Sequence, residues 1–312
     1  MNNYLIFFFL IAMSIVETTQ AQPKPRSYQY DPPWNDPIKA GVSFTVPGID
    51  NVPDLYGDIN DPQLVVFMGG NQFMVVDELL AAFRKQHPQY VRIFVETLPP
   101  GILAEQIKTG SVVIGNMRIS LLPDVYLAGK GRMEESREWF FRTSQYGRNK
   151  LAIMVRKGNP KGVKTLTDLG RADVRVSMPD PKTEGIGRQI EQAYELAGGR
   201  ALRDKIMTQK VKDGSTFLTQ IHHRQAPVRV LYDESDAGPV WITEVLHQKQ
   251  LKHPVELIEI PESVNKYGEY WIGQMKNAPH PQAGADFTNF LSSDPAQAIY
   301  KKYGFLPPDQ PR

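Results

Sequence analysis

The sequence predicts an α/β protein of two lobes, each an open, mostly parallel sheet with helices on both faces. Three observations predict it. Short apolar runs of strand length alternate with segments whose apolar residues recur at helical spacing. Gly- and Pro-rich turns punctuate that alternation, as they do where strands feed helices. From residue 22 onward the chain holds about 290 residues, the size at which a single core stops growing and chains divide.

Residues 1–21 read as a secretory signal. An apolar run of about a dozen residues is followed by Thr19-Gln20-Ala21, with a small residue at the cleavage position. The run is too short for a lasting membrane span, and no Lys or Arg precedes it. Residues 22–61 are crowded with Pro, Gly, Asp and Asn and lack periodicity, so an irregular N-terminal arm is expected. Its aromatics Tyr28, Tyr30, Trp34 and Phe44 are those of an arm that packs along one lobe.

The regular part opens with a strand at Leu64 to Phe67. A helix follows, with Met74, Val75, Leu79, Leu80, Ala82 and Phe83 on one face, and it stops before His87-Pro88. Tyr90 to Val95 is the next strand, Leu103 to Thr109 a helix, Asp124 to Leu127 a strand and Met133 to Trp139 a helix. Strands at Lys150 to Val155 and Val174 to Met178 bracket a turn at Gly158-Asn-Pro160 and a short helix at Leu166 to Leu169. Pro227 is placed to open a helix over Val228 to Ser235, and Ala285 to Tyr303 forms a last helix that Gly304 ends.

Composition excludes several classes. With no Cys there is no disulfide, thiolate metal site, thiol nucleophile or lipid-anchored amino terminus. A net charge of +2, with Lys and Arg scattered among acids, lacks the basic stripe of a nucleic-acid binder. There is no Gly-x-Ser-x-Gly elbow, Walker loop or His-Glu-x-x-His, and Gly185-Ile-Gly187 lacks the third glycine of a dinucleotide fingerprint.

Open α/β sheets bind ligands beyond the carboxyl ends of their strands, where loops lead into helices. Three loops fit: Gly69-Gly70-Asn71-Gln72, Leu127-Ala128-Gly129-Lys130, and Asp180 to Gly185, which carries Glu184 into the helix of Arg188. Taken singly, each also fits an ordinary turn that uses Gly for close backbone approach. The stretch Thr219-Gln-Ile-His222-His223-Arg224 adds two imidazoles and a guanidinium before a helix. With Glu184, His222 and His223 form a candidate metal set, and the alternative is that they pack and hydrogen-bond. Trp241, Trp271, Tyr126 and Tyr146 are candidates for a pocket wall or for core.

An ordered series of segments, VVFMGGNQFMVVDELLAAF, PDVYLAGKGRM, YGRNKLAIMVRKGNP, DLGRADVRVSMPDPKTEGIGRQI, DAGPVWITEVL and FLSSDPAQAIYKKYGF, resembles the periplasmic solute-binding proteins of ABC transporters. The likeness spans roughly residues 63–306 and is to the type II class that includes molybdate-binding proteins. It implies residues 62–148 with 270–312 in one lobe, 149–269 in the other, and two hinge crossings near Tyr146 to Asn149 and Tyr267 to Tyr270. It also implies a ligand held between the lobes by Gly70, Asn71, Gln72, Ala128, Gly129, Lys130, Asn149, Glu184, Gly185, His222, His223, Arg224 and Trp241. Molybdate binders use Ser, Ser and Tyr where this chain has Asn71, Ala128 and Trp241. Three hydroxyl donors are therefore missing, and an anion buried without donors is costly.

The expected protein is a monomer of the Gram-negative periplasm that catalyses nothing. It captures an oxyanion, metal or metal chelate and delivers it to an inner-membrane ABC permease, with no cofactor beyond such a ligand. Two alternatives remain open: a metal-dependent periplasmic enzyme built on the His pair and Glu184, and a ligand-sensing subunit for a membrane receptor.

Overall fold

The computed structural model describes residues 42–45 and 52–309. The expected signal peptide and most of the expected arm lie outside these residues. Among those described, no helix is long and apolar enough to cross a membrane.

The first lobe is built on β3 (Leu64–Met68), β4 (Ile93–Glu96) and β7 (Val125–Gly129), paired in parallel in the order β4-β3-β7. The second centres on β9 (Val176–Met178), β10 (Thr216–Leu218) and β11 (Ala237–Trp241), also parallel. Joining them are two long strands, β8 (Phe140–Arg156) and β13 (Tyr267–Met275), which run antiparallel to each other. The first half of β8 pairs with β13; its second half pairs antiparallel with β11 and with β12 (Val255–Glu259). The sheets are thus parallel at each lobe's centre and antiparallel where the joining strands enter. Both anticipated crossings fall in one ladder, with Tyr267 opposite Lys150 and Tyr270 opposite Gly147.

Helices cover both faces, because the central strands β3, β7 and β11 are buried on both sides. In the first lobe, α1 (Val76–Gln86), α8 (Pro281–Leu291) and α9 (Asp294–Lys302) bury Phe83, Phe287, Phe290 and Tyr300 on one face. On the other, α2 (Pro100–Thr109) and α3 (Lys130–Glu135) bury Leu103 and Met133 against Phe67, Phe94 and Tyr126. In the second lobe, α4 (Gly185–Asp204) places Ile190 and Tyr194 on one face, while α6 (Gln225–Leu231) and α7 (Ile242–Gln250) place Val230 and Val245 on the other.

Several elements differ from expectation. Two short strands, β1 (Val42–Phe44) and β2 (Leu55–Gly57), occupy the arm, and β2 pairs with β4 at the sheet edge. Three residues are too few for an alternation to show, and Leu55 is held by burial in the first lobe's core. The last helix is two, because the backbone turns extended at Ser293 and Pro295 sits at the second position of α9. Leu166–Gly170 is a 3₁₀ turn whose Asp168 accepts backbone N–H groups from Lys164 and Thr165. Helix α6 begins at Gln225, two residues ahead of Pro227, which lies buried inside its first turn.

Candidate functional site

A cavity of about 380 Å³ lies where the two lobes face the joining strands. The first lobe contributes Asn71, from the turn after β3, and Gly129 and Lys130, from the junction of β7 and α3. The second contributes Glu184, Gly185 and Arg188 at the start of α4, with His223 and Trp241. Tyr267, Gly268, Glu269 and Tyr270 of β13 form a third part of the wall. The loops assemble here for one reason: β3, β7, β9 and β11 all end on this side, and each hands the chain to a turn or helix.

The wall is mixed in charge. Lys130 Nζ pairs with Glu269 at 3.3 Å, and Arg132 with Glu135 at 2.7 Å. Arg188 donates to the carbonyl of Pro181 at 3.0 Å and meets no carboxylate among the described residues. Arg188 stands exposed at the cavity wall on the first turns of α4, whose leading N–H groups have no intrahelical acceptor.

Glu184 does not face an incoming anion as a bare charge. Its two oxygens accept the backbone N–H of His223 at 3.0 Å and face His223 Nδ1 at 3.1 Å. On the other edge of that ring, Nε2 lies 3.7 Å from Glu244 Oε1. Burial opposes protonation of His223, but the two flanking carboxylates outweigh it and raise the pKa. Burial likewise raises the pKa of Glu244, with His223 acting in the opposite sense. Glu244 also accepts the N–H of Trp241 at 3.0 Å, three residues back, which seats α7.

Behind this pair the lobes touch directly. His222 accepts the N–H of Arg224 on Nδ1 at 3.1 Å, and its ring is pressed on Gly70, where an added Cβ would come within 2.0 Å of Nε2. No residue but Gly fits there. Burial and the neighbouring positive charges hold His222 well below the usual imidazole pKa, so it is neutral. Arg224 reaches across to the carbonyl of Gly70 at 3.4 Å and forms a buried ion pair with Asp54. Phe73 stacks under its guanidinium, 5.1 Å from the ring centre.

The expected site residues therefore divide. Asn71, Gly129, Lys130, Glu184, Gly185, His223 and Trp241 line the cavity. Gln72 and Asn149 stand behind it: Tyr146 and Tyr300 donate to Gln72 Oε1 at 2.6 and 3.2 Å, and Asn149 donates to Thr243 at 2.9 Å. Gly70, His222 and Arg224 belong to the lobe contact. Ala128 packs in the apolar cluster with Phe67 and Tyr126, as a methyl on a central strand must. Trp241 lies against Gly268, where a Cβ would come within 2.5 Å of the indole. Tyr126 and Tyr146 are core, and Trp271 is half-buried beside it. Ligand atoms of Glu184, His222 and His223 lie within 4.8 Å of one another, all buried. Sequence reasoning missed Tyr270, Asp54 and Glu244. Of these, only Glu244 had a local signal, its three-residue spacing from Trp241.

Two α/β lobes joined by a pair of strands, with polar loops converging on a cavity between them, define a ligand-enclosing binding protein. The chain belongs to the bacterial extracellular solute-binding proteins, whose family model matches residues 64–306. It is 28% identical over 167 residues to the thiosulfate-binding protein of Escherichia coli (strain K12), covering 49% of this chain and 48% of the relative. With the sulfate-binding protein of Synechococcus elongatus it shares 25% identity over 174 residues, 50% of this chain and 46% of the other. The chain thus spans about half the length of the curated relatives it matches. Among solved structures, the periplasmic molybdate-binding protein of Azotobacter vinelandii superposes with a TM-score of 0.64 at 16% identity, over 79% of this chain and 100% of that one. At that identity the likeness is one of fold.

Proposed function

We propose that this protein encloses a small anion between its lobes and delivers it to an inner-membrane ABC permease, without catalysing a reaction. The carrying observation is Arg188, an exposed cation on α4 that meets no carboxylate among the described residues and lines the same cavity as Asn71. Engagement of Glu184 by His223 removes the main objection to an anion there, since the carboxylate already has its donors. Relatives that bind thiosulfate and sulfate point to the same ligand class. The reading places residues 62–148 with 270–312 in one lobe and 149–269 in the other, closing about β8 and β13. Residues 1–21 act as the export signal, and the mature chain works as a monomer in a Gram-negative periplasm.

A second reading has one observation in its favour. Glu184, His222 and His223 are a carboxylate and two imidazoles close enough to share a divalent transition metal. Native mass spectrometry with elemental analysis of the purified protein separates the two. An oxyanion mass that disappears in Arg188→Ala supports the first, and a stoichiometric metal that disappears in His223→Ala supports the second. If neither is carried and neither binds on titration, both readings fail.

A further inference from the structure

We infer that the hydroxyl of Tyr270 is a ligand-recognition group, donating its hydrogen to an oxygen of the bound anion. The inference rests on the anion reading above and deepens it, because it supplies a hydroxyl donor to a cleft that lacks those expected from the molybdate-binding pattern.

Tyr270 sits on β13 and lines the cavity together with Asn71. Its oxygen receives hydrogen bonds from two side-chain amides: Asn149 Nδ2 at 3.3 Å and Asn71 Nδ2 at closer range. The Asn149 amide can point only one way. Its Oδ1 accepts the N–H of Lys150 at 3.0 Å and its Nδ2 also donates to Thr243, so Nδ2 is the face turned to Tyr270. A phenol oxygen has two acceptor positions and one hydrogen. With both positions filled by amides, the hydrogen is the only thing left to offer, and no described residue accepts it. Turning the Asn71 amide over would send the Tyr270 hydrogen to Asn71 Oδ1 and free the Asn71 N–H groups; the pair would still present a donor at this spot.

The position suits recognition. Tyr270 is 5% exposed, so a ligand oxygen that meets it does so out of bulk water, where a hydrogen bond to charge is strong. Burial pushes the phenol pKa up, so it remains a neutral donor throughout the physiological range. Asn71 belongs to the first lobe, Asn149 to β8 and Tyr270 to β13. A ligand on this hydroxyl is thereby tied to a lobe and to both joining strands at once, which couples occupancy to the hinge.

The test is isothermal titration with sulfate, thiosulfate and molybdate, using wild type, Tyr270→Phe and Tyr146→Phe. Tyr270→Phe keeps the ring packing against Trp241 and Phe305 and removes only the hydroxyl. It should weaken the best-bound oxyanion by about tenfold to a hundredfold. Tyr146→Phe removes a buried hydroxyl that donates to Gln72 behind the cavity and leaves the bonds of Tyr270 in place, and should weaken binding by less than about threefold. The inference is overturned if Tyr270→Phe binds within twofold of wild type, or if Tyr146→Phe loses as much affinity, which would make the hydroxyl a structural part only. A wild type that binds none of the three oxyanions overturns the anion reading itself, and this inference with it.

Discussion

Two buried polar networks flank the same cleft and are built on opposite principles. One is neutral. Gln72 gathers Tyr146 and Tyr300, while Tyr270 gathers Asn71 and Asn149, and none of these groups changes charge near neutral pH. The other is ionic, running through Glu184, His223 and Glu244 in the second lobe and from Arg224 to Asp54, which precedes β2 at the first lobe's sheet edge. A neutral network loses little on leaving water once its hydrogen bonds are made. An ionic one must offset a large desolvation cost with good geometry, and here Nε2 of His223 and Oε1 of Glu244 stay 3.7 Å apart without a hydrogen bond. The difference assigns roles: the neutral network positions the joining strands and the first loop under all conditions, and the ionic one fastens the lobes and is the part sensitive to mutation.

The largest expected effect is therefore at the lobe contact. Arg224→Met should lower stability by about 3–5 kcal/mol in urea unfolding, because it removes the buried cation that is paired with the Asp54 carboxylate, itself 0% exposed. Adding Asp54→Asn to that variant should restore part of the loss; a double variant as unstable as the single one would show that the ion pair is not the source.

A control for the ionic network is Glu96, a buried carboxylate whose partner is the neutral Gln106 at 3.0 Å. Burial raises its pKa from 4.5 to about 8, against the smaller effect of the Gln106 hydrogen bond. The folded state then holds more protons than the unfolded one between these values, so this group's stabilisation is complete below pH 4.5 and is lost as pH rises toward 8. Glu96→Gln should remove that loss, gaining about 3 kcal/mol over wild type at pH 7 and almost nothing at pH 4. A variant whose advantage does not grow with pH contradicts the assignment.

The smallest effect should come from the neutral side. Tyr146→Phe removes one of two donors to Gln72 and should cost about 1 kcal/mol, with no pH dependence between 5 and 8. Urea midpoints across that range would show it, and a loss that grew with pH would blur the contrast between the two networks.

Much of this architecture is legible in the chain. Strands such as Leu64 to Phe67 and Lys150 to Val155 are apolar runs bounded by Gly turns, and the turn glycines mark loops that do converge. The first half of β8 was not legible, because Phe141, Arg142 and Thr143 are exposed and its identity comes from pairing with β13. The hairpin of β5 (Val112–Ile114) and β6 (Met117–Ile119) is equally short and weakly patterned. Within the site, Glu184 at a helix start and the His pair could be read locally. Asp54 could not, since it lies in a stretch without periodicity and its partner is 170 positions away. Tyr270 was visible only as part of a crossing, because its chemistry depends on two amides brought in from other elements.

The central claim, an anion held by Arg188 and its neighbours, is tested most directly by thermal unfolding in sulfate, thiosulfate or molybdate against chloride at matched ionic strength. Wild type should gain about 2.7 kcal/mol of stability from one of these oxyanions at a hundred times its Kd, and Arg188→Ala should gain almost nothing at the same concentration. An oxyanion effect of equal size in both proteins, or a wild type stabilised only by a divalent cation, would contradict it.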